Sequence, residues 1–299
     1  MNLSDLEAFA AVVESGSIVG AAGRLYLTQS AVTKRIQNLE GALDVILLDR
    51  QSRPMRPTQL GKKVYDHAET ILAAVAAMKT AVVHNGEASG EFNLGVAPGL
   101  GEAVVTPLFE TLCRHFPKLV PHVFAQNTKV LVERLISGSI VAGVLLCSEG
   151  NDPPDTLVTE VVGKLPYVLV GSAAFPSDHL STIADLAQQP WVVGTERCAA
   201  RHYLDRTFKH YGMPLRIMVE TESKDSQLLL AAQGTGLAVV PSYLVDASPA
   251  RPDLRVLEVE EFDASQNVWI AYSRYLGSQE KAIPYIRETI VEHLESLGS

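Results

Sequence analysis

Cysteine is scarce in this chain. Only Cys113, Cys147 and Cys198 occur in 299 residues. Their wide spacing excludes a disulfide scaffold and a CxxC zinc site. Long apolar runs are missing too. Stretches such as Ile71–Met78 and Leu228–Ala232 fall far short of the about 20 residues that a membrane-spanning helix needs. The first ten residues hold Asp5 and Glu7 and neither Lys nor Arg, unlike a secretory signal peptide. Aromatic residues make up 6% and charged residues 20%, against 47% hydrophobic. Those proportions exclude disordered and fibrous chains. The length suggests two domains, or three if one is small. The expectation is a globular protein of the cytoplasm, with no membrane partner, no metal site and no cofactor.

Positive charge is also in deficit, but unevenly. The net charge is −9. Residues 1–63 carry eight basic and six acidic residues, whereas the remainder carries 17 and 28. Within 24–63 the balance is eight basic to three acidic. A small basic module on an acidic body points to an electrostatic partner for that module alone.

The basic module has helical periodicity. Leu6, Phe9, Ala10 and Val13 predict an amphipathic helix over 3–14. Ser15-Gly16-Ser17 breaks it, and Ser17 can cap a short second helix with Ile18, Ala21, Ala22 and Leu25 inward. Leu27-Thr28 forms a turn, and a third helix is expected from Gln29 to Leu43, with Val32, Ile36, Leu39 and Leu43 as its seam. Its other face carries Gln29, Ser30, Thr33, Lys34 and Gln37. Hydroxyl, amide and ammonium groups near a helix N-terminus are what base edges and phosphates can meet in a major groove. Val45–Asp49 is β-prone. The following turn holds Arg50, Arg53 and Arg56 with Pro54 and Pro57. This reads as a wing whose arginines reach phosphates. The whole reads as a winged helix-turn-helix, and the expected partner is double-stranded DNA.

From Thr58 to about His84, residues Val64, Ala68, Ile71, Val75, Met78 and Val82 recur at steps of 4 and 3. That heptad seam predicts a long linker helix through which two copies dimerise. Residues 85–91 are polar and contain glycine, as a hinge would.

Residues 6–61 resemble the DNA-binding end of the LysR-type transcriptional regulators. Leu6, Phe9, Val13-Glu14-Ser15-Gly16-Ser17, Ala21-Ala22, Leu25, Gln29, Ala31-Val32-Thr33, Ile36, Leu39-Glu40, Leu43, Arg50, Arg53, Thr58 and Gly61 carry the likeness. Ser30 stands where that family usually has proline, Asp44 where glycine is common, and Leu48 where phenylalanine is usual. The resemblance implies regulation of transcription by a homodimer, assembled as a homotetramer.

The rest alternates strand and helix, which predicts a mostly parallel sheet with helices on its faces. Strands are expected at Phe92–Ala97, Val120–Gln126, Val141–Cys147, Leu157–Val162, Tyr167–Gly171, Trp191–Gly194, Ile217–Thr221, Gly236–Pro241 and Val268–Tyr272. Pro98–Glu102 reads as a loop before a helix from Val104, and further helices are expected from His202 and Ser226. This order is similar to the family's two-lobed α/β effector domain, which resembles periplasmic solute-binding proteins. Gln233-Gly234-Thr235-Gly236 running into the aliphatic stretch to Pro241 supports the match. The domains expected are 1–58 for DNA, 59–90 for linker and hinge, and 91–299 for the effector. Within the last, one lobe takes 91–161 with 268–299, and the other 162–267.

Ligands of open α/β sheets bind beyond the carboxyl ends of the strands. The candidates there are Pro98, Gly99, Leu100, Thr128, Lys129, Cys147, Thr195, Arg197 and Ser223. Lys129, Arg197 and Lys224 offer cations to a carboxylate, so the small-molecule effector has room to be an anion. The resemblance places an effector-binding hydroxyl at Thr128, and gives Gly99 a site where others carry Ser or Thr. It also suggests an alternative. Peroxide-sensing members hold a reactive cysteine near the place of Cys198, although their downstream partner cysteine has no counterpart after Cys198. Cys113 and Cys147 read as packing residues. No GxSxG, HExxH, Walker or strand-following GxGxxG motif supports an enzyme. A free solute-binding protein would need an export signal and no DNA-binding head.

Overall fold

The computed structural model describes residues 1–299 except 50, 51, 83–85, 177–181, 261, 275, 298 and 299, together with the side chains of 73, 76, 77, 79–82 and 102. The chain divides into two compact units, formed mainly by residues 1–85 and by residues 86–299.

In the first unit, α1 (Leu3–Ser15) opens with a reciprocal cap. The Asn2 side chain accepts from the Asp5 N–H, and the Asp5 carboxylate accepts from the Asn2 N–H, each at 2.9 Å. Gly16 ends α1 in the left-handed region at φ 66°. Ser17 caps α2 (Ile18–Arg24) and Thr28 caps α3 (Gln29–Leu43). Phe9, Val12, Ala21, Val32, Ile36, Leu39 and Leu47 close around one core. Asp44 ends α3 at φ 53°. Aspartate is among the few residues besides glycine that visit this conformation, so the departure from the family's glycine keeps the backbone path.

The wing strand is shorter than the β-prone run suggests. Only β1 (Leu48–Asp49) pairs with β2 (Arg56–Pro57), antiparallel. The preceding N–H groups are taken already. Val45 N–H donates to the Glu40 carbonyl and Leu47 N–H to Glu40 Oε1. A Cβ at Gly61 would run into the Leu47 carbonyl, so α4 (Gln59–Val82) can start there only on glycine.

The heptad seam does not act as one surface. Ala68 is 1% exposed, and Val64, Tyr65 and Leu72 pack on the unit's own core. Farther along, Ile71 and Met78 are exposed, and the Val82 side chain and His84 lie outside the described residues. The first half of the helix is therefore buried against α1, which the periodicity alone could not distinguish from a dimer seam.

In the second unit a five-stranded sheet has the order β4-β3-β5-β12-β6, with β3 (Gly90–Val96), β4 (Leu119–Ala125), β5 (Ala142–Cys147), β6 (Val158–Leu165) and β12 (Gln266–Tyr272). The chain leaves it at Pro166 and builds a second sheet, β10-β7-β11, from β7 (Tyr167–Ser172), β10 (Ala238–Pro241) and β11 (Leu254–Leu257). Beside it β8 (Trp191–Val193) pairs with β9 (Ile217–Glu220), bridged to Leu237 through Trp191. The expected mostly parallel sheet is corrected to mixed sheets. β3 runs parallel to β4 and β5, but β12 is antiparallel to β5 and β6, and β7 to β10 and β11. A strand that arrives by a crossing between sheets is not bound to the parallel βαβ geometry.

Helices α5 (Pro98–His115), α6 (Thr128–Ile136), α8 (Ala199–His210) and α9 (Lys224–Ala232) follow strands directly. Short α7 (Ile183–Ala187) and α10 (Ser242–Ala247) complete the second sheet's cover, and α11 (Ile283–Leu297) packs on α5. The expected loop Pro98–Glu102 is helix. Pro98 occupies the first turn behind extended Ala97, where its fixed φ suits a helix start. Cys113 is exposed rather than packed, one step round α5 from the fully buried Leu112.

Candidate nucleic-acid interface and effector cavity

α3 has the two faces its sequence implies. Val32, Ile36 and Leu39 are at most 1% exposed. Gln29, Ser30, Lys34 and Gln37 are exposed and Thr33 is half-buried. The Thr33 hydroxyl donates to the Gln29 carbonyl at 2.8 Å, and Ser30 and Thr28 share a hydrogen bond of 3.0 Å. Arg53 and Arg56 are exposed. Arg50 lies outside the described residues. Among the described residues, Lys34, Arg53 and Arg56 make no ion pair, so their charge is available to a polyanion. By contrast Arg24 pairs with Glu14, and Glu14 also accepts from the Tyr65 hydroxyl at 3.3 Å. Burial and then the Glu69 and Glu14 carboxylates push the Tyr65 phenol well above its usual value, so it stays a donor that ties α4 to α1.

The second unit holds a cavity of about 110 Å³. Its wall takes residues beyond the carboxyl ends of β3, β4, β8 and β9, with Leu146 from β5 and Tyr167 from the start of β7. Four of the sequence candidates line it: Pro98, Gly99, Thr128 and Thr195. The other five do not. Leu100 is buried in the interior. Cys147 points away, because its neighbour Leu146 takes the cavity side of β5. Burial raises the Cys147 thiol to about 12. Ser223 caps α9, its hydroxyl accepting from the Ser226 N–H at 3.2 Å. Lys129 and Arg197 are exposed and off the wall.

Among the wall residues not singled out from the sequence, three have polar side chains: Asn127, Tyr167 and Glu222. Asn127 Nδ2 and Thr195 Oγ1 both donate to Glu222 Oε1, at 3.2 and 3.3 Å. The Asn127 bond joins the loop after β4 to the loop after β9. Thr128 is on the wall, yet its hydroxyl donates to the Leu146 carbonyl at 2.9 Å and accepts from the Leu146 N–H at 3.2 Å. Tyr167 is only 7% exposed. A Cβ at Gly99 would strike its hydroxyl, so the tyrosine fills the space of the side chain that Gly99 lacks. Burial pushes the Tyr167 phenol well up, with lesser contributions from Cys198 and Tyr243. Cys198 is half-buried, and Lys224 Nζ stands 3.9 Å from its Sγ and 3.1 Å from Gln227 Oε1. Tyr243 donates to the Gly99 carbonyl at 3.0 Å.

A basic three-helix head and a walled α/β cavity are now both in place, and comparison with known proteins gives the pair a lineage. Residues 3–62 match the bacterial regulatory helix-turn-helix protein, lysR family, and residues 85–282 match the LysR substrate binding domain. The chain belongs to the LysR family. It is a DNA-binding transcriptional regulator with an effector-binding domain. The family consists of transcriptional regulators, and its members bind operator DNA and small-molecule effectors. The nitrogen assimilation regulatory protein nac of Escherichia coli (strain K12) is 30% identical over 243 residues, 81% of this chain and 78% of that protein. A hydrogen peroxide-inducible genes activator of Pectobacterium carotovorum subsp. carotovorum is 32% identical over 304 residues, covering both chains fully (100% each). Among solved structures, a full-length OxyR variant from Pseudomonas aeruginosa superposes with a TM-score of 0.71 at 19% identity, over 97% of this chain and 94% of that one. CbnR complexed with its target DNA gives 0.59 at 20%, over 99% and 100%. At these identities the superpositions speak for the fold of this LysR-type regulator. Among the described residues no single helix is long and apolar enough to cross a membrane.

Proposed function

We propose that residues 1–58 read an operator, that 59–90 link and dimerise, and that 91–299 sense a small molecule in the cavity. The α3 N-terminal groups Gln29, Ser30, Thr33, Lys34 and Gln37 meet bases and phosphates, and Arg50, Arg53 and Arg56 hold the backbone. Two recognition helices of a dimer enter successive major grooves about 34–36 Å apart. The exposed Ile71 and Met78 supply the distal part of the dimer contact, and two dimers make the tetramer. The protein acts in the cytoplasm, without catalysis. The effector shifts the population between two states of the DNA-bound assembly, which requires unequal affinity for them.

One observation carries the sensing role: a cavity walled by residues from all three sheets of the second unit, with its polar groups converging. The test is a thermal-shift screen of small metabolites on the full chain. A ligand at 100 times its Kd adds about 2.7 kcal/mol. Thr195→Val is expected to weaken any hit, and a hit indifferent to it would move the site elsewhere.

A second reading has its own observation. Cys198 lines the cavity beside the Lys224 ammonium, and some relatives are named for peroxide induction. Peroxide would oxidise the thiol to a sulfenic acid while being reduced to water. Operator binding that responds to peroxide and becomes indifferent in Cys198→Ser would establish it.

A further inference from the structure

The cavity carries two charges of opposite sign that do not satisfy each other. Glu222 and Lys224 both line it. Among the described residues neither makes an ion pair, with the other or with any third group. Glu222 is held instead by the neutral donors Asn127 and Thr195, both on Oε1. Lys224 Nζ leans on the neutral Gln227 amide and the Cys198 sulfur.

Four helices begin on the same wall. Pro98 and Gly99 open α5, Thr128 opens α6, Ala199 opens α8 and Lys224 opens α9. These helices have 18, 9, 12 and 9 residues. Their first turns leave N–H groups without intrahelical partners and a positive dipole end. An independent feature marks the same place as a ligand site. The Tyr167 hydroxyl lies on the wall of the cavity, its side chain more than nine-tenths buried, and it makes no hydrogen bond among the described residues. The hydroxyl opens onto the cavity with no protein partner there, and as a phenolic O–H it can donate to a ligand acceptor.

We propose that the effector is a small zwitterion of the α-amino-acid class, its carboxylate held by the Lys224 ammonium, the helix N-termini and the Tyr167 hydroxyl, and its ammonium by Glu222. The proposal rests on reading the cavity as the effector site, and deepens it. A simple carboxylate would satisfy the cationic groups and leave Glu222 facing a like charge. A simple amine would do the reverse. Size agrees. An apolar cavity of about 150 Å³ holds the six carbons of benzene, so about 110 Å³ suits a main-chain amino-acid unit with a short side chain. An ammonium on Glu222 would share its carboxylate with Asn127, whose loop follows the five-stranded sheet while Glu222 follows β9, which couples occupancy to the relation between those two sheets.

The experiment is isothermal titration calorimetry on the full chain with glycine, L-alanine, L-serine and L-proline. Propionate and lactate are the anion-only controls, and ethylamine is the cation-only control. At least one amino acid is expected to bind ten or more times tighter than all three controls. Glu222→Gln keeps the acceptor for Asn127 and Thr195 and is expected to cost that amino acid at least tenfold while leaving propionate unaffected or tighter. Lys224→Met is expected to weaken the amino acid and propionate alike. Unchanged far-ultraviolet circular dichroism and operator binding would show that both variants are folded. Propionate or ethylamine binding as tightly as every amino acid, or an amino acid indifferent to Glu222→Gln, would overturn the proposal. So would silence from all three classes. The wider effector reading fails separately, if the metabolite screen yields no ligand that Thr195→Val weakens.

Discussion

The two units present their polar groups in opposite geometries. The N-terminal unit displays them on a periodic outer face. Gln29, Ser30, Thr33, Lys34 and Gln37 share one side of one helix, fixed by three buried residues on the other. The C-terminal unit gathers them inward from separate loops. Asn127, Thr195 and Glu222 come from three loops, Lys224 from the start of α9 and Tyr167 from a strand start. A face of the first kind suits a long, stiff polyanion whose charges repeat. A wall of the second kind suits a compact molecule with one charge of each sign. The net charges of +2 for residues 1–63 and −11 for the rest follow the same division, since only the first must attract phosphate.

The comparison can be broken most strongly through a core residue. Ile36→Ala empties a site that is 1% exposed and is expected to cost about 3 kcal/mol. Calorimetric scanning should show the loss confined to one transition, with operator binding gone and ligand binding intact. Loss of both together would mean that the units do not fold independently.

The mirror experiment is Arg201→Met. Arg201 is 7% exposed and bonds Asp205, Glu220 and the Gly194 carbonyl. Removing it should cost about 2 kcal/mol of the second unit's stability and loosen the Gly194–Cys198 loop. Ligand affinity should fall while DNA binding by the first unit holds, as read by calorimetry and gel shift in parallel.

Arg53→Ala is expected to weaken all DNA sequences alike and to lower the salt slope of binding by about 1. Thr33→Ala should instead weaken the operator more than random DNA. Equal losses for both variants on both DNAs would remove the distinction between wing and recognition helix.

The smallest effect is a pH dependence confined to the second unit. Lys164 and the Ser265 hydroxyl and N–H hold the Asp263 carboxylate down at about 2. A carboxyl depressed on folding stabilises above its unfolded value of 3.8, and that contribution is lost as pH falls from about 4 to about 2. Both partners are more than half exposed, so screening keeps the contribution small. Asp263→Asn should flatten the acid limb of the second unit's melting curve and leave the first unit's unchanged.

What could be read from residue order was whatever repeats along one element. The α3 helix runs from Gln29 to Leu43 as its spacing predicts, and Val32, Ile36 and Leu39 form its buried seam, whereas the expected fourth member, Leu43 in the last turn, is 38% exposed. The caps at Ser17 and Thr28 follow from local chemistry. Periodicity places the helix starts at Val104, His202 and Ser226, later than the observed Pro98, Ala199 and Lys224. Each of those observed starts lies on the cavity wall. Those first turns carry proline, glycine, alanine and polar residues in place of an apolar repeat, with Pro98, Gly99, Ala199 and Lys224 on the wall. β11 (Leu254–Leu257) has no signal of its own in the sequence because its pairing to β7 comes from a distant part of the chain.

The sequence alone determined the family, the basic head on an acidic body and the face of α3 offered to DNA, since these depend on composition and on neighbours within a few residues. Only the tertiary structure decided that half of the α4 seam is spent on its own core. It alone decided that Tyr167 occupies the space beside Gly99 and that Glu222 and Lys224 share one cavity unpaired. The α4 burial and the Tyr167–Gly99 contact join residues tens of positions apart, and Glu222 and Lys224, though two positions apart, are held by partners on distant segments, Asn127, Thr195 and Cys198.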